Sequence, residues 1–330
     1  MNISHSLTGK HILVTGGTGY LASNLIAQLQ NTDCLIIRVD LPGASFKPLS
    51  GKAQLRDIEG DIRKRALWET ILTDVDVIFH FAAQTSAYIA EQNPPADLDI
   101  NVMPMLHLLD ICREKVLIPS ILFSGTVTEA GLPKYLPVNE DHPDHPITVY
   151  DLHKWIAENY LKYYVRTGVL RGAVLRLANV YGPGPKSSST DRGVLNLMVR
   201  KALLGESLTV YGQGDYLRDY IYIEDVTRAF LQAAANIDLV SGQHFVLGTG
   251  EGYTVSQAIN LVAERVAVKT GKHASVVNIE PPDSLSPIEQ RNFIADTRRF
   301  AQATGWKAKI HIIEGIDRTI DYFLSEQESL

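Results

Sequence analysis

Cysteine is scarce in this 330-residue chain, which contains two, Cys34 and Cys112. Both lie in apolar stretches without metal-ligand spacing, so we expect buried, reduced thiols. Their scarcity excludes a disulfide-stabilised scaffold and indicates a reducing compartment. His142 and His145 come closest to a ligand pair, but the proline-broken segment around them supplies no third ligand. We predict no metal site, and a solvated loop at these histidines.

Positive charge is also in short supply. Lys and Arg number 31 against 37 Asp and Glu, which gives a formal net charge of −6. This balance provides no broad positive field for nucleic acid or an anionic membrane surface. The chain also lacks an apolar run long enough to cross a bilayer, and its polar start, Met1 to Lys10, has no signal-peptide core. We expect a cytoplasmic protein that binds neither nucleic acid nor membrane.

The first half does contain an alternation of short β-branched runs and amphipathic stretches. The strand-like runs are 11–15, 34–40, 76–80 and 117–124, and the helical runs are 22–30 and 97–114. Strands that alternate with helices pair in parallel, with the helices covering both sheet faces. The pattern predicts an α/β fold with a Rossmann-type doubly wound parallel sheet.

The second half has a different pattern. Glycine, proline and serine at 181–190 oppose regular structure and indicate a loop that crosses between domains. A helix near 194–204, a strand at 208–211 and a return to the sheet near 220–234 follow. We expect a dinucleotide-binding domain at 1–178 plus about 216–246, and a smaller, discontinuous C-terminal substrate domain at about 179–215 and 247–330.

A glycine-rich run follows the first strand and opens a helix: Thr15-Gly16-Gly17-Thr18-Gly19-Tyr20-Leu21-Ala22. In this context Gly16 permits a tight turn, and Gly19 lets backbone N–H groups approach a pyrophosphate at the positive end of the helix. Ala22 stands where a third glycine is often found. The run predicts a dinucleotide site.

Asp40 ends the second strand about 20 residues beyond the glycines, where a carboxylate accepts the ribose hydroxyls and repels a 2′-phosphate. This position favours NAD over NADP. Arg38 lies on the same strand face by alternation and weakens that preference. Asp61 follows the third strand and either caps a helix or hydrogen-bonds the adenine amine, and the residues leave both interpretations open.

Tyr150 and Lys154 lie four residues apart within a helical pattern, so both side chains share one helix face. A neighbouring ammonium stabilises the phenolate of a tyrosine that otherwise ionises near pH 10. Such a tyrosine can act as a base toward a sugar hydroxyl. Tyr160, Tyr163 and Tyr164 on the same helix are expected to pack against the sheet or a subunit.

Segments along nearly the whole chain resemble the extended branch of the short-chain dehydrogenase/reductase family, the nucleotide-sugar epimerases, dehydratases and reductases. They are TGGTGYLAS at Thr15, GDIR at Gly60, FHFAAQTS at Phe79, the Asn101 helix, FSGT at Phe123, Tyr150-x-x-x-Lys154, RLANVYGPG at Arg176 and RDYIYIEDV at Arg218. The resemblance implies an NAD-dependent enzyme acting on a nucleotide-diphosphate sugar. It also implies a homodimer formed through the helices at 97–114 and 149–164.

Residue roles follow from the same resemblance. Thr126 takes the position of the family's catalytic hydroxyl and shares the sugar oxygen with Tyr150, while Lys154 also binds the nicotinamide ribose. The implied cofactor contacts are Gly16, Thr18, Gly19, Tyr20, Leu21, Asp40, Asp61, Ile62, Phe81, Ala82, Ala83, Asn101, Ser124, Tyr150 and Lys154.

The implied substrate contacts are Thr85, Thr126, Asn179, Leu195, Tyr211, Arg218 and Arg291. Asn179 and Arg218 are assigned to the diphosphate, and Leu195 and Tyr211 to the nucleobase or its sugar. Relatives commonly have a phosphate-binding arginine where this chain has Ser286, and Arg291 is the candidate substitute. The residues also allow another interpretation of Arg218, a surface ion pair with Asp219.

The residues after Thr126 separate the reactions of the family. The resemblance implies Asp-Glu at this point in a 4,6-dehydratase and a glutamate two positions on in a decarboxylase. This chain has Val127-Thr128 instead, with Glu129 one position late. Three alternatives remain: an NAD-dependent C4 epimerase with Tyr150 as acid/base, an NAD(P)H-dependent 4-keto-6-deoxysugar reductase, and a non-catalytic NAD-binding regulatory protein. An NAD preference favours the epimerase.

Overall fold

The computed structural model describes residues 6–185 and 193–328. Its strands are β1 (His11–Thr15), β2 (Leu35–Asp40), β3 (Gln54–Glu59), β4 (Val77–His80), β5 (Ser120–Thr126), β6 (Arg171–Leu177), β7 (Asn179–Tyr181), β8 (Leu208–Tyr211), β9 (Leu217–Arg218), β10 (Tyr220–Tyr222), β11 (His244–Leu247), β12 (Tyr253–Thr254) and β13 (Val276–Ile279).

Its α-helices are α1 (Tyr20–Leu29), α2 (Arg65–Ile71), α3 (Ala87–Gln92), α4 (Pro94–Asn101), α5 (Met103–Lys115), α6 (Val149–Arg166), α7 (Val194–Leu203), α8 (Ile223–Ala235), α9 (Ile237–Val240), α10 (Val255–Thr270), α11 (Arg298–Thr304) and α12 (Ile312–Glu328). Two 3₁₀ helices span Val127–Ala130 and Pro287–Gln290.

Seven of the described strands form one sheet in the order β11-β6-β5-β4-β1-β2-β3. All of its pairings are parallel. The strand order changes direction between β1 and β4, so the connections that leave these strands diverge and open a crevice at their carboxyl ends. The predicted α/β class and Rossmann-type sheet are confirmed.

Strand alternation distributes the apolar side chains to both faces of this sheet. In β1, Ile12 and Val14 belong to one buried cluster and Leu13 to the other. A third apolar cluster joins α7, α10 and α12 with the small sheet of β8 and β13. This third cluster gives the C-terminal part its own core, while the domain boundaries remain a prediction.

Two predicted element boundaries were wrong, and proline explains both. The helix expected at 97–114 is two helices, because Pro104 at the start of α5 cannot continue the helical hydrogen bonds of α4. The strand expected at 117–124 begins at Ser120, since Pro119 has no N–H to donate, and the N–H of Ser120 bonds the Asp76 carbonyl. The predicted crossing loop at 181–190 lies partly outside the described residues.

The predicted thiols are confirmed, because Cys34 and Cys112 are free and buried. The prediction of a solvated loop was wrong for His142, which is buried. Its Nε2 accepts the Lys134 N–H at 3.2 Å and its Nδ1 lies 2.8 Å from the Pro143 carbonyl, so backbone groups replace water. Among the described residues no cluster of ligands could hold a metal ion. No helix in the same ranges is long and apolar enough to cross a membrane.

Candidate active site

The glycine run between β1 and α1 forms a tightly packed turn at the crevice. Gly16 has a φ of +65°, a left-handed conformation that other residues rarely adopt. A Cβ added to Gly17 would lie 2.8 Å from the Arg38 Cβ, and one added to Gly19 would lie 2.9 Å from the Gly16 carbonyl oxygen. Sequence reasoning missed the role of Gly17, which lets the turn lie directly against β2.

Thr15 and His80 tie the ends of β1 and β4 together beside this turn. The Thr15 hydroxyl accepts the N–H groups of Phe81 and Ala82, both at 3.1 Å, and lies 2.9 Å from His80 Nδ1. Burial, with the nearby Lys154 charge, lowers the pKa of His80 to about 3, so the imidazole is neutral. Because the Thr15 oxygen already accepts two N–H groups, its hydroxyl donates to His80 Nδ1. The chain segment expected to line the cofactor is thus fixed by a threonine that sequence reasoning passed over.

Asp40 holds the glycine run from the end of β2. Its Oδ2 accepts the backbone N–H of Thr18 at 2.9 Å and the hydroxyl of Thr18 at 2.6 Å. Arg38 is buried and donates to both carboxylate oxygens of Asp57, at 2.6 and 2.7 Å, and to the Lys47 carbonyl. Because its guanidinium is already paired, Arg38 no longer argues against an NAD preference.

Asp61 does not cap a helix. The next helix, α2, begins at Arg65 with Lys64 in the cap position, so the capping interpretation was wrong. Asp61 instead accepts the backbone N–H and the guanidinium of Arg63, and these hydrogen bonds lower its pKa. The adenine contact stays a prediction.

Tyr150 and Lys154 lie in the first turns of α6, which packs against β5 and the 3₁₀ helix Val127–Ala130. Both residues are buried, and the Lys154 ammonium lies 4.0 Å from the centre of the Phe123 ring. This cation–π contact keeps a buried charge next to the end of β5. Thr126 ends β5 there and is joined to the first turn of α6 by side-chain hydrogen bonds through Thr128.

A buried guanidinium holds these elements in place. Arg176 of β6 donates to both carboxylate oxygens of Glu158 on α6, at 2.9 and 2.6 Å, and to those of Asp144. Its Nε also lies 3.0 Å from Oε2 of Glu129, whose other oxygen accepts the Thr126 N–H. Glu129 therefore faces Arg176.

The pKa values of Glu129 and Glu158 are shifted in opposite directions. Burial and the neighbouring Glu158 carboxylate raise the pKa of Glu129. Burial also opposes ionisation of Glu158, but Arg176 outweighs it and brings the pKa of Glu158 to about 2. The ion pair that stabilises the site is thus the one between Arg176 and Glu158.

Three of the predicted substrate residues, Asn179, Arg218 and Arg291, lie close together. Arg291 is buried, and its Nη2 lies 3.4 Å from Oδ1 of Asn179. Arg218 donates to the backbone carbonyls of Arg291 and Glu289, so it braces the segment that carries Arg291. Ser286 lies on the same segment, and its N–H donates to the Tyr88 hydroxyl at 3.2 Å.

The surface ion pair considered for Arg218 and Asp219 was wrong. Asp219 is fully buried, and its carboxylate accepts the N–H groups of Thr249, Gly250 and Ala295. Those three bonds satisfy the carboxylate without a cation.

The other predicted contacts are placed as follows. Tyr20 donates its hydroxyl to the Gly182 carbonyl at 3.0 Å, which ties α1 to the crossing loop. Leu195 is buried in the third apolar cluster, whereas Tyr211 and Thr85 are exposed. Ile62, Asn101 and Ser124 are buried, and Leu21, Phe81, Ala82 and Ala83 are half-buried. The ligand-binding roles of these residues stay predictions.

Replacing each buried glutamate by glutamine separates their contributions to stability. At pH 7, Glu158→Gln removes the charge paired with Arg176, and we expect the free energy of unfolding to fall by about 3–5 kcal/mol. Glu129→Gln retains an acceptor for the Thr126 N–H and should cost much less. Urea unfolding monitored by circular dichroism measures both variants.

The pH dependence provides a second test of the same pair. A pKa near 2 in the folded state means that Glu158 stabilises the protein above the pKa of an unfolded glutamate, about 4.3, and that this contribution disappears as the pH falls toward 2. Glu158→Gln should flatten stability across that window. Equal losses for the two glutamine variants at pH 7 would contradict the assignment.

Comparison with known proteins agrees with this geometry. A Methanocaldococcus jannaschii protein, provisionally named a UDP-glucose 4-epimerase, is 31% identical over 316 residues, covering 94% of this chain and 97% of that protein. The crystal structure of a Thermotoga maritima UDP-glucose 4-epimerase with UDP-glucose matches with a TM-score of 0.85 at 30% identity, covering 96% and 99% of the two chains. The Thermus thermophilus UDP-glucose 4-epimerase complex with NAD gives a TM-score of 0.81 at 26% identity, covering 95% and 99%.

A protein-family model also matches most of the chain. The NAD dependent epimerase/dehydratase family model matches residues 12–248. The glycine turn, in which an added Cβ at Gly17 would collide with β2, and the carboxylate of Asp40 fit the dinucleotide that this family uses. Sequence match, sheet order and cofactor turn lead to one conclusion: the chain belongs to the NAD-dependent epimerase/dehydratase family.

Proposed function

We propose that the protein is a nucleotide-sugar epimerase that inverts C4 through a transient 4-keto sugar. The proposal rests on which carboxylates lie next to Thr126 and on which are missing there. Glu129 is buried against Arg176, and Thr128 occupies the position where the family's dehydratases and decarboxylases have a carboxylate. The groups left for the sugar are Thr126, Tyr150 and Lys154, which can exchange a proton with a hydroxyl but cannot drive elimination or decarboxylation.

The substrate side fits a diphosphate. Arg291 presents a planar guanidinium next to Asn179, and such a fork binds phosphate oxygens in pairs. An anchor on the diphosphate suits epimerisation in particular, because the keto sugar must turn over while its nucleotide stays bound. The UDP-glucose 4-epimerases among the similar proteins make UDP-hexoses the first substrates to test.

In the proposed reaction at C4, the protein's side chains transfer the proton and the cofactor transfers the hydride. Tyr150 removes the proton of the 4-hydroxyl and later returns it, and the Lys154 ammonium stabilises the phenolate inside a buried site. NAD, when bound, would supply both the acceptor and the donor of the hydride exchanged with C4. Asp40 and the glycine turn would hold the dinucleotide, and because the hydride returns to the sugar, turnover would need no added cofactor.

Product analysis tests this function. Purified protein without added cofactor is incubated with UDP-, dTDP-, GDP- and CDP-sugars, and the products are identified by NMR. We expect interconversion of C4 epimers, with UDP-hexoses the best substrates. Turnover only of 4-keto substrates, with stoichiometric use of reduced cofactor, would make the protein a reductase and refute the proposal.

Two tyrosine variants provide the matched control for that assay. Tyr150→Phe removes the acid/base group and should lower kcat by about 10²–10⁴-fold. Tyr160→Phe changes a half-exposed tyrosine on the same helix and should leave kcat unchanged. Equal rates for the two variants would exclude Tyr150 as the base.

We also propose that the protein is a homodimer. Large apolar side chains are exposed on the neighbouring helices α3, α4 and α6, namely Ile89, Leu98, Leu152, Tyr160 and Tyr163. Large exposed apolar side chains on neighbouring helices are typical of subunit contacts. The family resemblance implies a dimer surface at 97–114 and 149–164, which includes Leu98, Leu152, Tyr160 and Tyr163.

Light scattering at micromolar concentration tests the dimer. The wild-type protein should have twice the mass of one chain, and Tyr163→Glu should shift it toward monomer by burying a charge in the contact. Val268→Glu, at an exposed apolar residue on the distant helix α10, is the control and should remain dimeric. A monomeric wild-type protein would refute the proposal.

A further inference from the structure

A chain of hydrogen bonds leads from Thr126 to a buried carboxylate that the proposed chemistry does not use. The hydroxyl oxygens of Thr126 and Thr128 lie 2.7 Å apart, and the Thr128 hydroxyl donates to Oδ1 of Asp151 at 2.5 Å. Asp151 is only 1% exposed and Thr128 only 7%. The buried Asp151 carboxylate is therefore linked to Thr126 by hydrogen bonds through the two hydroxyls.

The direction of these bonds follows from the number of protons. A hydroxyl group has one proton to donate. Thr128 donates its proton to Asp151, so Thr126 must be the donor in its bond with Thr128. The Thr126 oxygen also accepts the Thr128 N–H at 3.3 Å, and its second lone pair can accept one more bond. Toward a ligand, Thr126 is thus an acceptor of a proton.

The position of Asp151 favours its ionised form. It lies in the first turn of α6, where the partial positive charge of the helix N-terminus stabilises an anion. An ionised carboxylate only accepts hydrogen bonds, which keeps both hydroxyl protons directed toward Asp151. Asp151, at one end of the hydrogen-bond chain, is consequently a base. Thr126, at the other end, is the residue expected to touch the sugar oxygen.

Building on the proposed function, we propose that Thr126, Thr128 and Asp151 form a second proton route from the sugar hydroxyl, parallel to Tyr150. The sugar O–H bond breaks as its proton binds the Thr126 oxygen, the Thr126 proton moves to Thr128, and the Thr128 proton moves to Asp151, which becomes a neutral acid. The O–H electron pair forms the second bond of the 4-keto group, and the C4–H pair leaves as hydride to the NAD of the proposed reaction. Reversal of each transfer returns the proton.

Thr126 contacts the sugar in this scheme, whereas Thr128 and Asp151 act through it. A purely structural role is the competing explanation, since Thr128 and Asp151 also join the 3₁₀ helix to α6. The two roles differ in how substitutions combine. Loss of the minor route is concealed while Tyr150 works and becomes visible once Tyr150 is removed, whereas a structural change should reduce the rate by the same factor in any background.

The test measures kcat for the best UDP-sugar of holoenzyme variants. In the wild-type background Thr128→Val should lower kcat less than about threefold, whereas in the Tyr150→Phe background it should remove the remaining route and lower kcat by about 10²-fold or more. Thr128→Ser keeps a hydroxyl and should preserve the rate in both backgrounds. Asp151→Asn, whose amide cannot take up the proton, should repeat the Thr128→Val result and replaces it if that variant does not fold.

Two further readouts keep the outcomes distinct. In Tyr150→Phe, several protons move together, so the rate should depend on the deuterium fraction of the solvent along a curve rather than a line. Equal NAD content and UDP affinity across the variants establish that the fold is intact. The same loss from Thr128→Val in both backgrounds, or no loss in Tyr150→Phe, would overturn the relay alone. Absence of wild-type turnover with every nucleotide sugar would overturn the proposed function itself.

Discussion

The candidate active site depends on the ion pairing of one buried guanidinium, that of Arg176. It joins β6 to α6 through Glu158 and to the end of β5 through Glu129, and these are the elements that carry Tyr150, Lys154 and Thr126. A buried cation tolerates little displacement, because an unpaired partner would keep its full desolvation cost. The groups proposed to react are therefore held in place by an ion cluster that takes no part in the proposed chemistry.

A second buried cation, Lys154, influences the side chains around the cofactor crevice. The Lys154 ammonium is buried against Phe123, and its charge helps to keep His80 neutral. The neutral imidazole accepts the proton of Thr15, whose oxygen then holds the chain that follows β4. The buried Lys154 charge thus contributes, through His80 and Thr15, to the position of the backbone expected to line the nicotinamide.

Much of this arrangement could be predicted from the sequence, because some features obey local rules. The glycine run, the carboxylate of Asp40 and the Tyr150–Lys154 spacing each depend on residues within one turn or one strand-helix unit. The roles of Gly17 and of Thr15 could not be predicted, since each depends on a partner from another strand. Pro104 and Pro119 were visible signals whose effect on element boundaries was overlooked.

Epimerisation through a retained dinucleotide requires the C4 hydrogen to leave and return within one protein-bound sugar. The most direct measurement incubates the protein with a mixture of two forms of its nucleotide sugar, one with deuterium at C4 and the other with carbon-13 throughout. Mass spectrometry of the epimers should find deuterium only in the carbon-12 sugar, without loss to water. Deuterium in the carbon-13 sugar, or its loss to solvent, would contradict transfer within a single bound sugar.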